Sequence, residues 1–236
     1  MLLFYTPDVR GDAYTLNNEE SRHLVRVLRK TRGDQVHLTD GRGGLFRTRI
    51  VEDNPGNCTV AIEETMRRPF RKPYRVHIGI APTKNINRFE WFLEKATEIG
   101  IDSVIPFVSE NSERKNIKPE RLEKIIIAAM KQSLKVFKPR LHELTSFHSL
   151  IQRSFRGGKY IAWIDDHVKH RFYDACPPGE DTLILIGPEG DFTLAETGEA
   201  KKYGFIPISL GDSRLRTETA GIVACHTVAL RNEGVR

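Results

Sequence analysis

Leu183-Ile184-Leu185-Ile186-Gly187-Pro188-Glu189-Gly190-Asp191-Phe192 runs from an apolar stretch into a glycine-centred turn, and Ile208-Ser209-Leu210-Gly211-Asp212-Ser213-Arg214-Leu215-Arg216-Thr217-Glu218-Thr219-Ala220 repeats that pattern. Apolar, largely β-branched runs bounded by Gly and Pro predict strands buried on both faces, and in α/β sheets ligands gather at the carboxyl ends of such strands. A ligand site is therefore expected toward the C-terminus. Gly187 and Gly190 permit close backbone approach, but the turn lacks the Gly-Lys-Ser/Thr ending of a phosphate loop and carries Glu189 and Asp191 instead. Two carboxylates repel a triphosphate. They suit a neutral or cationic ligand, and a sulfonium such as S-adenosylmethionine is one candidate.

Upstream of these turns, strands alternate with helices, which argues for a largely parallel sheet covered on both faces. Val76–Ala81, Ile101–Val108 and Lys159–Ile164 are predicted strands. Arg88–Ile99 is a predicted helix with Phe89, Phe92, Leu93 and Ala96 at helical spacing, closed by Gly100. Pro119–Leu134 is another, starting with proline and burying Leu122, Ile125, Ile126, Ala129 and Met130. Thr193-Leu194-Ala195-Glu196 reads as a capping box that starts a helix running to about Tyr203 and stopped by Gly204. In the terminal helix Ala220, Val223, Ala224, Thr227 and Val228 recur on one face. Asp165-Asp166-His167, with His170 nearby, reads as a polar strand end; for a metal site a third clear ligand is missing, so no metal is expected.

Residues 1 to about 70 read differently, as a small β-barrel with one helix. Gln35–Thr39, Leu45–Ile50 and Cys58–Glu63 are strand-like, separated by Asp40-Gly41-Arg42-Gly43-Gly44 and Asn54-Pro55-Gly56-Asn57. Glu19–Leu28 is predicted as a basic amphipathic helix with His23, Leu24, Val27 and Leu28 inward. Arg22, Arg26, Arg29 and Arg32 would meet phosphates, with Arg42, Arg47 and Arg49 extending the patch; the competing reading is a solvated face diluted by Glu19, Glu20, Asp34, Glu52 and Asp53. The stretch 66–75, charged and broken by two prolines, is the candidate linker.

Composition fits this division. At 236 residues the chain can hold an α/β domain and a smaller companion, and its net charge of +6 with a pI near 9.3 favours an anionic partner such as nucleic acid. Three widely spaced cysteines suggest neither a disulfide framework nor a zinc site. No apolar run approaches the about 20 residues that span a bilayer, and no signal-peptide pattern opens the chain, so a cytoplasmic protein without membrane attachment is expected.

The two turns resemble the signature of the SPOUT, or trefoil-knotted, methyltransferases. More closely, the chain resembles the family, usually called RsmE, that methylates N3 of a uridine in 16S ribosomal RNA. Ala81-Pro82-Thr83-Lys84, Phe89-Glu90-Trp91-Phe92-Leu93-Glu94-Lys95-Ala96-Thr97-Glu98-Ile99-Gly100-Ile101 and Ala129-Met130-Lys131-Gln132-Ser133 stand in the family's order, so the resemblance covers nearly the whole chain. It implies a PUA-like β-barrel over 1–70 that docks RNA and a knotted methyltransferase domain over 74–236. It also implies S-adenosyl-L-methionine as cofactor and a homodimer with the cofactor pocket beside the interface. Three places depart from the family pattern: Gly190-Asp191 where two glycines are common, Ser213-Arg214 in place of Arg-Ile, and Lys135 near a usual arginine.

Carried onto this sequence, the resemblance assigns the cofactor to Ile186, Gly187, Pro188, Glu189, Gly190, Leu210, Gly211, Leu215, Thr217 and Ala220. It assigns RNA contacts to Arg22, Arg26, Arg29, Lys84, Lys135 and Arg214. Methylating N3 requires loss of a weakly acidic proton and stabilisation of the charge that develops on the uracil oxygens. Arg216 is the candidate for the second task. Glu218 is a candidate base, an orienter of Arg216, or a cap of the terminal helix. Small-subunit ribosomal RNA, within the assembled subunit, is the expected partner. The competing readings are a knotted methyltransferase acting on ribose or transfer RNA, and a non-catalytic RNA-binding assembly factor.

Overall fold

The computed structural model describes residues 1–67, 72–164, 168 and 170–234. Residues 68–71 of the candidate linker, and Asp165, Asp166 and His167, lie outside them. The chain divides into two compact units, one formed by Met1–Arg71 with Met130–Lys138 and the other by Lys72–Ala129 with Pro139–Arg236. Residues 130–138, which the sequence pattern places in the second domain, join the first unit.

The first unit contains β1 (Leu3–Tyr5), β2 (Ala13–Thr15), α1 (Asn18–Arg22), β3 (Gln35–Thr39), β4 (Gly44–Glu52) and β5 (Thr59–Arg67). The strands pair in the order β1-β3-β4-β5-β2, antiparallel except for β1 beside β3. Phe4 of β1 and Tyr14 of β2, from opposite ends of the sheet, share one apolar cluster with Leu24, Val36, Leu38, Ile50 and Val60, so the sheet curls around a single core as a small barrel. α1 starts where the Asn17 side chain accepts from the Glu20 amide, then continues as a π-helical turn over His23–Val27. That wider turn shifts the side-chain register. Leu24 is buried and Leu28 half-buried as expected, but His23 and Val27 are exposed, against the expectation of an ordinary helix.

The second unit is a parallel sheet in three layers. Its elements are β6 (Val76–Ile80), α2 (Ile86–Ile99), β7 (Ser103–Val108), α3 (Pro119–Gln132, whose end from Met130 falls in the first unit), β8 (Arg140–Leu141), β9 (Thr145–Ser146), α4 (Phe147–Ile151), β10 (Gly158–Ala162), α5 (Phe172–Ala175), β11 (Thr182–Ile186), α6 (Leu194–Lys202), β12 (Ile206–Ile208) and α7 (Thr217–Arg231). The strand order is β12-β10-β11-β6-β7-β8, with β9 also on β7, and every pair is parallel. Period-two alternation sends Ile78, Ile80, Ile184 and Ile186 to a cluster with residues of α2, α3, α5 and α7, and Leu183, Leu185, Ile105 and Phe107 to a second cluster with α4 and α6. β11, buried along its length, sits at the centre.

Local signals account for most of these boundaries. Gly100 closes α2 in a left-handed conformation at φ 114°, and Thr193 and Glu196 form the expected reciprocal capping box of α6. Two expectations are corrected. β12 ends at Ile208, so Ser209 and Leu210 follow the strand rather than forming it. The face that α7 buries is Thr217, Glu218, Gly221, Ala224, Cys225 and Val228, with Ala220, Val223 and Thr227 only half-buried. Gly221 sets that orientation: a Cβ there would lie 2.6 Å from the Phe92 ring and 3.1 Å from Ile80, so α7 approaches α2 and β6 too closely for any side chain.

Candidate active site at the carboxyl ends of the strands

β6 and β11 lie side by side, and the Ala81 amide donates to the Ile186 carbonyl, so the two strands deliver their following loops together. Gly187 and Pro188 continue β11 as buried residues, whereas Glu189 and Gly190 are exposed. The turn closes where the Asp191 amide donates to the Pro188 carbonyl, with Asp191 left-handed at φ 59°. From the second stretch, the Thr217 hydroxyl donates to the Gly187 carbonyl at 3.1 Å in a buried position, stitching the start of α7 to the end of the central strand. Leu210 and Ala220 pack half-buried against the core on the same side of the sheet, and Leu215 is half-buried. Ile186, Gly187, Pro188, Leu210, Thr217 and Ala220 are thus brought to one end of the sheet.

The carboxylates of the first turn are committed to the protein itself. Glu189 Oε1 accepts from the Lys84 amide at 3.0 Å, and Asp191 accepts from the Phe192 amide at 2.8 Å and the Ile164 amide at 3.1 Å. Burial nevertheless pushes the Asp191 carboxyl above its ordinary value, with the Phe192 and Ile164 amides, and less so Arg214, offsetting part of the effect. These two groups therefore shape the loop; the Glu189 oxygen bonded to Lys84 is not free for the cofactor contact expected of that residue. The carboxylate left over is Glu218. It is buried at 8% exposure, its Oε2 makes no hydrogen bond, and its Oε1 lies 3.8 Å from the Arg88 guanidinium. Among the described residues Glu218 neither pairs with Arg216 nor caps α7, whose N-cap residue is Arg216 without a side-chain cap. Arg88 has no counterpart in the sequence reading; only its place one turn inside α2 could have suggested a cation there.

Arg216 is exposed at the N-terminus of α7, where the first-turn amides and the dipole favour negative charge. Gly211 (φ 131°), Asp212, Ser213 and Arg214 are exposed too. Lys84 is exposed and paired with Glu113 at 2.7 Å. Lys135 belongs to the first unit, in the segment after α3. Arg22, Arg26 and Arg29 are exposed, and among the described residues none forms an ion pair. The proposed extension of their patch does not hold: Arg47 and Arg49 pair with Glu63, Arg47 also with Glu64, and Arg42 with Asp40. No metal-ligating cluster occurs among the described residues, and no helix among them is long and apolar enough to cross a membrane.

A family model for the RNA methyltransferase domain matches residues 70–229, and one for the RNA methyltransferase PUA domain matches 16–63. The chain belongs to this family of RNA methyltransferases, and the expected architecture of a parallel α/β domain behind a PUA-like barrel stands. Among named relatives it is similar to the ribosomal RNA small subunit methyltransferase E of Mesomycoplasma hyopneumoniae, 32% identical over 94% of this chain and 96% of that one. Among solved structures it is similar to a probable rRNA-methyltransferase from Porphyromonas gingivalis, 43% identical over the full length of both chains with a TM-score of 0.92. It is also similar to a Legionella pneumophila protein solved with the bound cofactor SAM, 25% identical over 98% of this chain and 97% of that one, TM-score 0.87.

Proposed function

We propose that this protein transfers a methyl group from S-adenosylmethionine to N3 of a uridine in 16S ribosomal RNA, acting in the cytoplasm as a homodimer on the assembled small subunit. The observation that carries the reading is Glu218: a buried carboxylate with one unpartnered oxygen, next to the stitched strand ends and two residues from the exposed Arg216. An orphaned acceptor in such a place costs about 1–3 kcal/mol unless a ligand satisfies it. The names and bound cofactor of the relatives support the substrate and the donor.

The residues present fit the cofactor. Leu210, Leu215 and Ala220 offer half-buried apolar walls for adenine, the Gly187–Gly190 backbone allows close approach, and a buried carboxylate favours a sulfonium cation. When bound, S-adenosylmethionine supplies an electrophilic methyl on positively charged sulfur. The protein's tasks are to hold acceptor and donor in line, exclude water and manage one proton. Glu218 Oε2 would accept the N3 proton, leaving the nitrogen pair free for the methyl that the bound sulfonium would supply. Arg216 donates to the uracil oxygen on which negative charge builds. Arg22, Arg26 and Arg29 hold RNA phosphates, with Lys84, Lys135 and Arg214 as further contacts.

The dimer finds support in Leu194 and Ile164, 74% and 64% exposed, which flank the first turn. The small residues of α7 give none, because Gly221 and Ala224 are spent on its own chain's core. The test is transfer of labelled methyl to small subunits from cells lacking this protein, compared with protein-free RNA, followed by nucleoside analysis. Label in 3-methyluridine, faster on subunits, is expected. Label on ribose or only in transfer RNA would overturn the uridine assignment, and RNA binding without any transfer would leave an assembly factor.

A further inference from the structure

The first glycine turn, closed by its own Asp191–Pro188 bond, is also held from outside. A non-glycine residue in the left-handed region costs about 1–2 kcal/mol, and such a conformation persists only where its surroundings over-determine it. Asp191 is in that region, and besides the Ile164 and Phe192 amides on its carboxylate, a restraint on its main chain comes from the segment that follows β7. The Asn111 side-chain amide donates to two consecutive carbonyls of the turn, Gly190 at 3.1 Å and Asp191 at 3.0 Å. Gly190 suits this contact: a Cβ at 190 would lie 3.0 Å from the Asn111 Cβ, so Asn111 would have to give way. The Glu110 amide meets Glu196 Oε1 at 2.9 Å, tying the same segment to the capping box of α6 just beyond the turn.

Three residues on, the segment grips the neighbouring loop. Arg114 donates through Nε to the Thr83 carbonyl at 2.9 Å and through Nη2 to the Lys84 carbonyl at 2.6 Å, while Glu113 pairs with the Lys84 ammonium. The Lys84 amide in turn donates to Glu189 Oε1. The 81–85 and 187–191 loops are thus tied to each other and to one external strut, Glu110–Arg114. The strut itself is braced by a Ser109–Ser112 turn, whose Ser112 hydroxyl accepts from the Ser109 amide at 2.9 Å.

We infer that Asn111 and Arg114 are positioning residues for the methyl donor: they touch no reacting atom but fix the backbone against which the cofactor seats. This rests on the proposed S-adenosylmethionine site. Asn111 is exposed and its two acceptors are main-chain carbonyls, so its role cannot be core packing. Arg114 uses the planar fork of a guanidinium to span two adjacent carbonyls, which a lysine ammonium matches poorly.

The experiment compares wild type, Asn111→Ala, Asn111→Asp and Arg114→Lys. It reads S-adenosylmethionine affinity by calorimetry without RNA, KM for cofactor and for RNA, melting temperature, and amide exchange over 187–192 in the ligand-free protein. Wild-type binding comes first: if the wild type binds no S-adenosylmethionine, the proposed function fails, whereas exchange over 187–192 still judges the strut. The expected result is faster exchange over 187–192 in both Asn111 variants, a cofactor Kd and KM raised about tenfold, and KM for RNA and melting temperature little changed. Asn111→Asp, which keeps the shape but has no donor, behaves like Asn111→Ala, and Arg114→Lys loses affinity by a smaller factor. Unchanged exchange and cofactor affinity in both Asn111 variants, or a raised KM for RNA with cofactor binding intact, would overturn the inference.

Discussion

The two glycine turns look alike in sequence and are built in opposite ways. The first, 187–191, is held at both ends and through both carboxylates: Thr217 on the Gly187 carbonyl, Asn111 on the two carbonyls at the turn's end, Lys84 on Glu189, and Ile164 and Phe192 on Asp191. The second, 209–216, is anchored at Ser209, whose amide donates to the His170 carbonyl and whose carbonyl accepts from the Phe172 amide. Beyond that it has the Ser209 hydroxyl turning back on Gly211 and an exposed Arg171–Asp212 contact at 3.5 Å, with four consecutive residues, 211–214, open to solvent. Loops that depend on few buried contacts lie at the low-stability end of a protein, where movement on ligand binding costs least. In the proposed cofactor site, the first turn would serve as a fixed wall and the second as one that closes.

The largest effects are expected where the closing wall ends in chemistry. Arg216→Ala should lower kcat by about 10²–10³-fold with cofactor Kd unchanged, because an exposed side chain adds little before charge develops on the uracil. Glu218→Gln should cost about 10²-fold or more in single-turnover rate. If Glu218→Gln retains the wild-type rate, the carboxylate is structural and the base lies elsewhere.

A smaller effect is expected from Gly211→Ala. Nothing lies within 4 Å of a Cβ there, so the only penalty is the φ of 131°, about 1–2 kcal/mol if the loop keeps its shape. A mobile loop can relax instead. Melting temperature should fall by only a few degrees while cofactor affinity weakens, and a large loss of stability would show that this turn is as rigid as the first.

The smallest concerns Asp191. Because burial raises its carboxyl above the ordinary 3.8, the folded chain retains a proton that the unfolded chain has lost in the interval above that value, and stability falls as pH rises through it. The side-chain amide introduced by Asp191→Asn does not titrate, and asparagine accepts the left-handed conformation equally well. Relative to wild type, this variant should therefore gain melting temperature on going from about pH 4 to pH 7. A constant difference at the two pH values would mean the carboxylate is not under strain.

Much of this architecture is legible in the chain because it is set by neighbours in sequence. The Thr193–Glu196 capping box, the Gly100 stop and the α2 face formed by Phe89, Phe92, Leu93 and Ala96 all follow from periodicity and caps. What failed depends on partners far along the chain. The π turn that exposes Val27 leaves no mark in spacing, and the cross-strand register that brings Glu63 to Arg47 and Arg49 was not readable from the run of basic residues. The site divides in the same way. The turns themselves could be read, but Arg88 beside Glu218 and Asn111 beside Gly190 are separated by 130 and 79 residues, respectively, and only the folded sheet brings them together.

Amide hydrogen exchange on the wild-type protein, with and without saturating S-adenosylmethionine, tests the contrast between the turns most directly. Slow exchange over 187–191 in both states, and exchange over 210–216 that is fast without the cofactor and strongly slowed with it, is the predicted result. Equal protection of the two turns before the cofactor is added, or protection gained only at 187–191, would contradict it.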